Sequence, residues 1–502
     1  MKRIIAIICA LSMFLMVACS SVKPADIPAD NSSSKETVAE ETNGSEPVNI
    51  VWWTCDYDYK LADLEKVLAK ANEISAEKIG VTADIIFKNE SQLDLDFNTG
   101  EYYDVMFSCS WLMNFDQLAR SGKFYDITDI VKEKTPALYE AVDPWWDPAT
   151  VDGRIYGIPE LKDLGAEVFF ILNQDYYEEE KGMTIPDEFD FADIEEYLQV
   201  YKEDHPNEYP LYLKNTGPQG LYQVHERIVN NYLVIPYRYA GTDRGTTIIP
   251  VWEDDEFMDM LRTMHRWYEL GYINPDAATN LDGIKDGTPV RTITAWTGFR
   301  CGGKTQYGHD TKMVRYAGPN MSRATMQGAN VGINAAADEE HVTAVLKYFE
   351  LLYTDKEFRD LLAYGIEGEH FNYYKDTVIK TETGIQNYNF DYYCTGPAIS
   401  VTPRSTSEDE LADPDMWQKV YEGYKDATIS DTNGFSFDDT TVSAECTAMA
   451  EYMSNYWYEL VTGTVDPDVK MQEIKTQMEK IGFEKVRAEA QRQLDEYLNA
   501  MK

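Results

Sequence analysis

The stretch VNIVWWTC, residues 48–55, is apolar nearly throughout, the pattern of a strand buried on both faces. Two further runs of the same kind follow, VTADIIF at 81–87 and DVMFSC at 104–109. Between the first two, Leu64–Ile79 carries a helical period. Short apolar strands alternating with helices predict βαβ units, hence a mainly parallel sheet with covering helices. Trp111 lies just past the third strand, where the chain turns polar. In open parallel sheets, ligands bind beyond the carboxyl ends of the strands. A flat aromatic face at that place suits the apolar C–H face of a sugar ring.

The rest of the chain continues in this style. A helix ends near Gly122, and Asp152–Gly153 forms a two-residue turn between strand-like runs. Helices are predicted over Phe191–Lys202 and through LRTMHRWYEL, the latter stopped by Gly271 with Pro275 beyond. TITAWTGF, 292–299, reads as a strand running into a loop. Thr354 as N-cap and Glu357 three residues on make a capping box for a helix that ends at Gly365. Asp466–Pro467 opens a helical tail that runs to Lys502 with a break near Gly482. Two α/β units and a helical tail account for the whole.

The N-terminus, MKRIIAIICALSMFLMVACSS, has Lys2 and Arg3 before an apolar segment, Ile4–Val17, and then Ala18–Cys19. Residues 1–18 read as a lipoprotein signal peptide, with Cys19 the acylated residue that tethers the chain to a membrane. Residues 19–47, rich in Ser, Glu and Pro, bury too little apolar surface to fold and read as a disordered tether. The net charge of −42 excludes nucleic acid as a partner, because phosphate binding needs the opposite field. Of seven cysteines, Cys9 leaves with the signal and Cys19 is acylated. The remaining five (Cys55, Cys109, Cys301, Cys394 and Cys446) are an odd number, so at least one stays a thiol.

Catalytic and metal signatures are weak. GFRCGGKT, Gly298–Thr305, satisfies the phosphate-loop pattern, but no clean helix follows it, and it reads as a glycine-rich surface or cleft-edge loop. His225–Glu226 lacks the second histidine of a zinc hydrolase, and no GxSxG occurs. DTNGFSFDD, 431–439, lacks the later glutamate of a calcium loop and reads as a solvated loop. No cofactor and no metal are expected. Acids are so numerous that carboxylate pairs mean nothing without geometry, so a glycosidase stays open. Tryptophans at strand ends (Trp52, Trp53, Trp111 and Trp296) are the features left to explain.

The order of several segments resembles the extracellular solute-binding proteins of bacterial carbohydrate ABC importers, the maltose-binding-protein-like class. The lipoprotein start, SGKFYDITDIV, VDGRIYGIP, INPDAAT, TITAWTGF, VGINAAADEEHVTAVLKYFELLYTD and YGIEGEHF carry the likeness. The tail from NGFSFDD onward resembles a C-terminal domain of unknown function found in one lipoprotein subgroup. The resemblance implies a two-lobed, type II periplasmic-binding-protein-like α/β fold, closing on a ligand cleft and ending in a helical tail. It implies one lobe from 48–165 plus about 310–375, and a second from 166–309 plus about 376–502. Trp53, on the first strand, is a candidate contact as a strand-end tryptophan; the implied ligand contacts are Asp56 and Tyr57 after the first strand and Ser110 and Trp111 after the third. Lys162, Asp163 and Glu167 would contribute from the cross-over, Trp296 from the second lobe, and His370 and Tyr373 after GIEG. Which of Asp163 and Glu167 faces the ligand is open. Cys55 and Cys109 end neighbouring strands and are either a disulfide or two buried thiols. The function implied is capture of an oligosaccharide by a monomer that delivers it to ABC permease subunits. A peptide or other polar solute is the alternative ligand, and a secreted glycosidase the alternative class.

Overall fold

The computed structural model describes residues 46–221, 225–230, 232–236, 245–285, 287–296, 299, 303, 307–390, 392, 395–405, 407–408 and 411–500. The signal peptide, Cys19, nearly all of the tether, Cys301, Cys394 and most of Gly298–Thr305 lie outside these. No helix among the described residues is long and apolar enough to cross a membrane.

Strand β1 (Val48–Cys55) pairs in parallel with β2 (Val81–Lys88) along its whole length and with β3 (Val105–Ser108) at Trp52 and Trp53. Helix α1 (Leu64–Ile79) joins β1 to β2 and stops at Gly80, whose φ of 68° is a left-handed value that glycine adopts without strain. A helix the sequence reading passed over, α2 (Glu90–Thr99), joins β2 to β3; Asn89 caps it by accepting from Gln92 N. After β4 (Gly157–Pro159) the chain crosses to a second sheet made of β5 (Ala166–Asn173), β6 (Val290–Ala295) and β7 (Thr311–Met321). It then returns as β8 (Asn330–Ile333). The first sheet has the order β2-β1-β3-β8-β4, and the second is β6-β5-β7 extended by β9 (Thr428–Ile429).

The expected parallel character holds for β1, β2 and β3 and for the short β7–β9 pair. β8 runs antiparallel to both neighbours, and β6 and β7 both run antiparallel to β5. β5 carries the chain away from the first lobe and β7 carries it back, a reversal that an apolar period does not encode.

Each lobe has its own core. The first gathers residues from Ile50 to Leu164, from Met321 to Val378, and Tyr388, Tyr392, Val420 and Tyr424. The second runs from Val168 to Ala317 and resumes from Phe435 to Leu494. Within β7, Val314, Tyr316 and Ala317 pack in the second core and Met321 in the first, which Val378, Tyr388, Tyr392, Val420 and Tyr424 also join. The tail helices α6 (Ser443–Val461), α7 (Pro467–Ile481) and α8 (Phe483–Ala500) bury Met449, Ile474, Met478, Val486 and Leu494 in the second core. Asp466 caps α7 by accepting from Asp468 N and Val469 N, and Gly482, at φ 118°, separates α7 from α8.

Three local readings change. Trp53 is fully buried, 4.9 Å from the Tyr103 ring with Lys88 Nζ over its face. It belongs to the core and not to a ligand surface, because β1 is central and covered on both sides. The helix Lys356–Tyr364 is capped by Asp355, which accepts from Phe358 N, one residue after the predicted cap. Thr354 instead ends the preceding helix, Glu339–Thr354, with its Oγ1 on Glu350 O. Cys55 and Cys109 carry thiols and share a small buried cluster with Phe107 and Ala329, so no disulfide joins them.

Candidate functional site

A cleft of about 700 Å³ opens between the lobes. Its floor is the cross-over after β4, where Lys162 and Asp163 form a 2.9 Å ion pair and both line the cavity. Two tyrosines fix this segment. Tyr421, on the helix Met416–Gly423, donates to Lys162 O, and Tyr424 Oη accepts from Leu164 N, each at 2.8 Å. Gly165 is required here by contact: a Cβ on it would come within 2.9 Å of the Tyr424 ring. The hinge thus rests on a close fit with Tyr421 and Tyr424, at the end of this helix and just after it.

The first lobe supplies Ser110 and Trp111. Trp111 is 50% exposed, and its indole N–H donates to Gly328 O at 3.1 Å. That bond, with Phe107 at 5.9 Å and Tyr57 at 6.2 Å between ring centroids, sets the ring's orientation. Ser110 hydrogen-bonds through N to Gln327 O and through Oγ to Ala324 O. Tyr57 donates to Glu90, and Asp56 accepts from Tyr59 N; neither lines the cavity.

The remaining predicted contacts fall elsewhere. Glu167 is buried in β5 and paired with Arg315 of β7 at 3.1 Å, so it joins two strands, and Asp163 is the acid that lines the cleft. Trp296 stacks on Trp417 at 5.2 Å and 22°, with its N–H toward Met416 Sδ, so the second lobe touches the first there. From the same strand, Thr294 reaches the cleft wall. His370 is fully buried, and Tyr373 donates to Asp360 on the outer side of the first lobe. Neither lines the cleft, because the GIEG turn packs against the start of α1.

Asp63, Glu369 and His370 bring carboxylate and imidazole atoms within 4.8 Å of one another, a spacing a metal can use. However, His370 Nδ1 accepts from Ile366 N at 2.9 Å, which leaves the proton on Nε2, facing Asp63 at 3.1 Å. Glu369 is held by Lys66. Neither imidazole nitrogen has a lone pair to offer, and the trio is a hydrogen-bonded brace.

Several wall residues were not anticipated. Arg323 is buried and forked onto Asp116, with further bonds to the carbonyls of Asp147 and Thr150. Burial pushes the Asp116 carboxyl up, but the Arg323 guanidinium and Gln327 hold it below the usual carboxylate value. Glu226, on the opposite wall, accepts from Ser430 and Thr432, yet burial raises its pKa above the ordinary value. The tail contributes Phe435, Phe437 and Asp439. The signal was present in DTNGFSFDD, where two phenylalanines interrupt a polar loop without a helical or strand period. The loop is irregular as predicted, but it faces the cleft and not bulk solvent.

The described geometry matches known proteins along most of the chain. Residues 431–499 match DUF3502, a domain of unknown function. A carbohydrate ABC transporter substrate-binding protein of Streptococcus pneumoniae serotype 4 is 26% identical over 484 residues, 92% of this chain and 93% of that protein. Lipoprotein LipO of Bacillus subtilis is 23% identical over 342 residues, 62% of this chain and 64% of its own. Among solved structures, the N-glycan transport solute binding protein NgtS of Streptococcus pneumoniae superposes with a TM-score of 0.78 at 24% identity, over 91% of this chain and 100% of that one. Structures of that protein with Man5GlcNAc and with Man1GlcNAc superpose at 0.71 and 0.73. In fold and along most of its length, the chain is similar to the solute-binding proteins of bacterial ABC importers, and its tail carries the DUF3502 match.

Proposed function

We propose that the chain is a lipid-anchored receptor, tethered through Cys19 at the outer face of the cell membrane, that captures an oligosaccharide between its lobes and presents it to an ABC permease. One observation carries this reading: a 700 Å³ cleft whose floor is the hinge itself, with the half-exposed Trp111 ring on one wall. A ligand seated there touches both lobes and the segment that joins them, so its binding energy favours the closed arrangement. The aromatic ring supplies an apolar face for a pyranose, and Lys162, Asp163 and Gln117 supply donors and acceptors for its hydroxyls. The cleft acids are interleaved with Lys162 and Arg323, which suits a neutral, hydroxyl-rich ligand better than a polyanion. The protein acts as a monomer and performs no reaction on the solute.

A thermal-shift screen across neutral oligosaccharides tests this, beginning with the two glycans bound by the structural relative, Man1GlcNAc and Man5GlcNAc. A ligand raises the melting midpoint with the logarithm of one plus its concentration over Kd, and mass spectrometry of the recovered glycan finds it intact. A released product defeats the receptor reading in favour of a glycosidase. A shift with peptides and none with sugars moves the ligand to another class.

A further inference from the structure

The cleft does not end at Arg323 and Phe435. A second cavity of about 620 Å³ lies beyond them and shares Arg323, Phe435 and Ser436 with the first as common wall. One side is the loop of the first lobe that carries Asp147 and Asp152, with Arg120 paired to Asp152. The other side is α8 and the loop before α6, with Glu496, Tyr497 and Ala500 in the lining. Each cavity alone falls within the ~300–1,000 Å³ of a complete small-molecule site. A ligand that needed only the first would leave a second, equally large space between the same two lobes.

The partition between the chambers is built firmly. Arg323 is fixed by Asp116 and two carbonyls, as described above. The 433–438 loop is tied to α8 at two points. Gln493 both accepts from Asp438 N (2.9 Å) and donates to Asp438 O (2.8 Å), and Tyr497 donates to Asn433 O (2.7 Å). Phe435 lies 5.7 Å from the Tyr497 ring, so an aromatic face continues around the partition. The exposed acids Asp152 and Glu496 and the Arg120 guanidinium offer acceptors and donors on the far side. That mixture disfavours an anion and suits hydroxyls.

We infer that the second chamber receives the distal arm of a branched or extended neutral oligosaccharide, and that the DUF3502 region thereby sets the size of ligand this receptor prefers. The inference rests on the oligosaccharide reading above and deepens it. A glycan confined to the first chamber contacts the floor and Trp111. One with an additional arm also bridges α8 to the first lobe, adding a second contact across the gap.

Isothermal titration of the full chain with Man1GlcNAc and Man5GlcNAc tests it, in the parent and in Ala500→Trp. Ala500 is exposed on the last turn of α8, so the bulky side chain fills the chamber without entering either core. The parent binds Man5GlcNAc about tenfold or more tightly than Man1GlcNAc. Ala500→Trp removes that advantage and leaves Man1GlcNAc affinity within about twofold, with an unchanged melting midpoint in the absence of ligand. Glu496→Ala, which trims the lining and adds no bulk, weakens Man5GlcNAc only. Equal affinities for the two glycans, or variants that leave Man5GlcNAc binding intact, overturn the chamber while the receptor reading stands. No binding of either glycan removes the oligosaccharide reading for this class and the chamber with it.

Discussion

Removing the Trp111 side chain is the most direct probe of the cleft. A tryptophan exposes or buries ~150–250 Å², and Trp111 stands 50% exposed. A sugar ring that covers the exposed half removes ~100 Å² from water, worth about 2.5 kcal/mol at ~25 cal/mol per Å², or roughly a 70-fold rise in Kd for Trp111→Ala. Folding loses only the Nε1–Gly328 bond, ~1 kcal/mol, and part of the contact with Phe107. The apo variant therefore folds, and its melting midpoint falls by a few degrees. Calorimetric titration with the tightest glycan from the screen reads the change in Kd. Trp111→Phe keeps a flat apolar face and loses the indole N–H, so it recovers most of the affinity if stacking is the cause. If Trp111→Ala binds within about twofold of the parent, the ring is no platform and the cleft assignment fails.

Other changes separate framework from site. Arg315→Met leaves Glu167 buried without its guanidinium and lowers the urea-unfolding free energy by about 2–3 kcal/mol, below the ~3–5 of a fully buried pair because Arg315 is about one-third exposed; glycan affinity stays within a few fold. Asp116 has a folded pKa below its unfolded one. The stability it gives is complete above ~3.9 and is lost as pH falls through the folded value, so Asp116→Asn flattens the acid limb of a stability–pH curve. Glu226 has the opposite sign: its raised folded pKa means stability declines as pH rises above ~4.3 toward that value. Glu226→Gln therefore unfolds at higher urea than the parent at pH 7 and converges with it near pH 4. Burial pushes the Cys109 thiol up to about 12, so iodoacetamide at pH 8 leaves it unmodified in the folded chain and labels it after denaturation, without reductant, which mass spectrometry reads directly.

Much of the first lobe was legible because short-range patterns coincide with long-range burial there. β1, α1, β2 and β3 all lie where apolar runs and glycine punctuation put them. Helix α2 was missed because Glu90–Thr99 is acidic and buries only Leu93 and Asp96, leaving little period to read. The cleft was legible where it follows a strand end, as with Ser110 and Trp111, or the hinge, as with Lys162 and Asp163. Three of the remaining candidates failed for a common reason. Sequence adjacency to a cleft element does not fix which way a side chain points: Trp53 and Glu167 alternate into the interior of their sheets, and His370 turns back onto Asp63. Arg323 and Glu226 were invisible because their partners are Asp116 and Ser430, residues brought near only by the fold.

The second lobe's core joins Val168 and Phe170 of its first strand to Leu494 near the far end of the chain. The part of the lobe synthesised earlier lacks the tail helices that complete this core, and pairings of such sequence separation are slow to form. Exported from its N-terminus, as the receptor reading proposes, the chain would pair β1–β3 early but keep the second lobe open until α8 has emerged. Deletion of α8 (Phe483–Ala500) is accordingly read in secretion and proteolysis before it is read in binding: a released chain with a protease-resistant first lobe and a second lobe that is clipped on arrival.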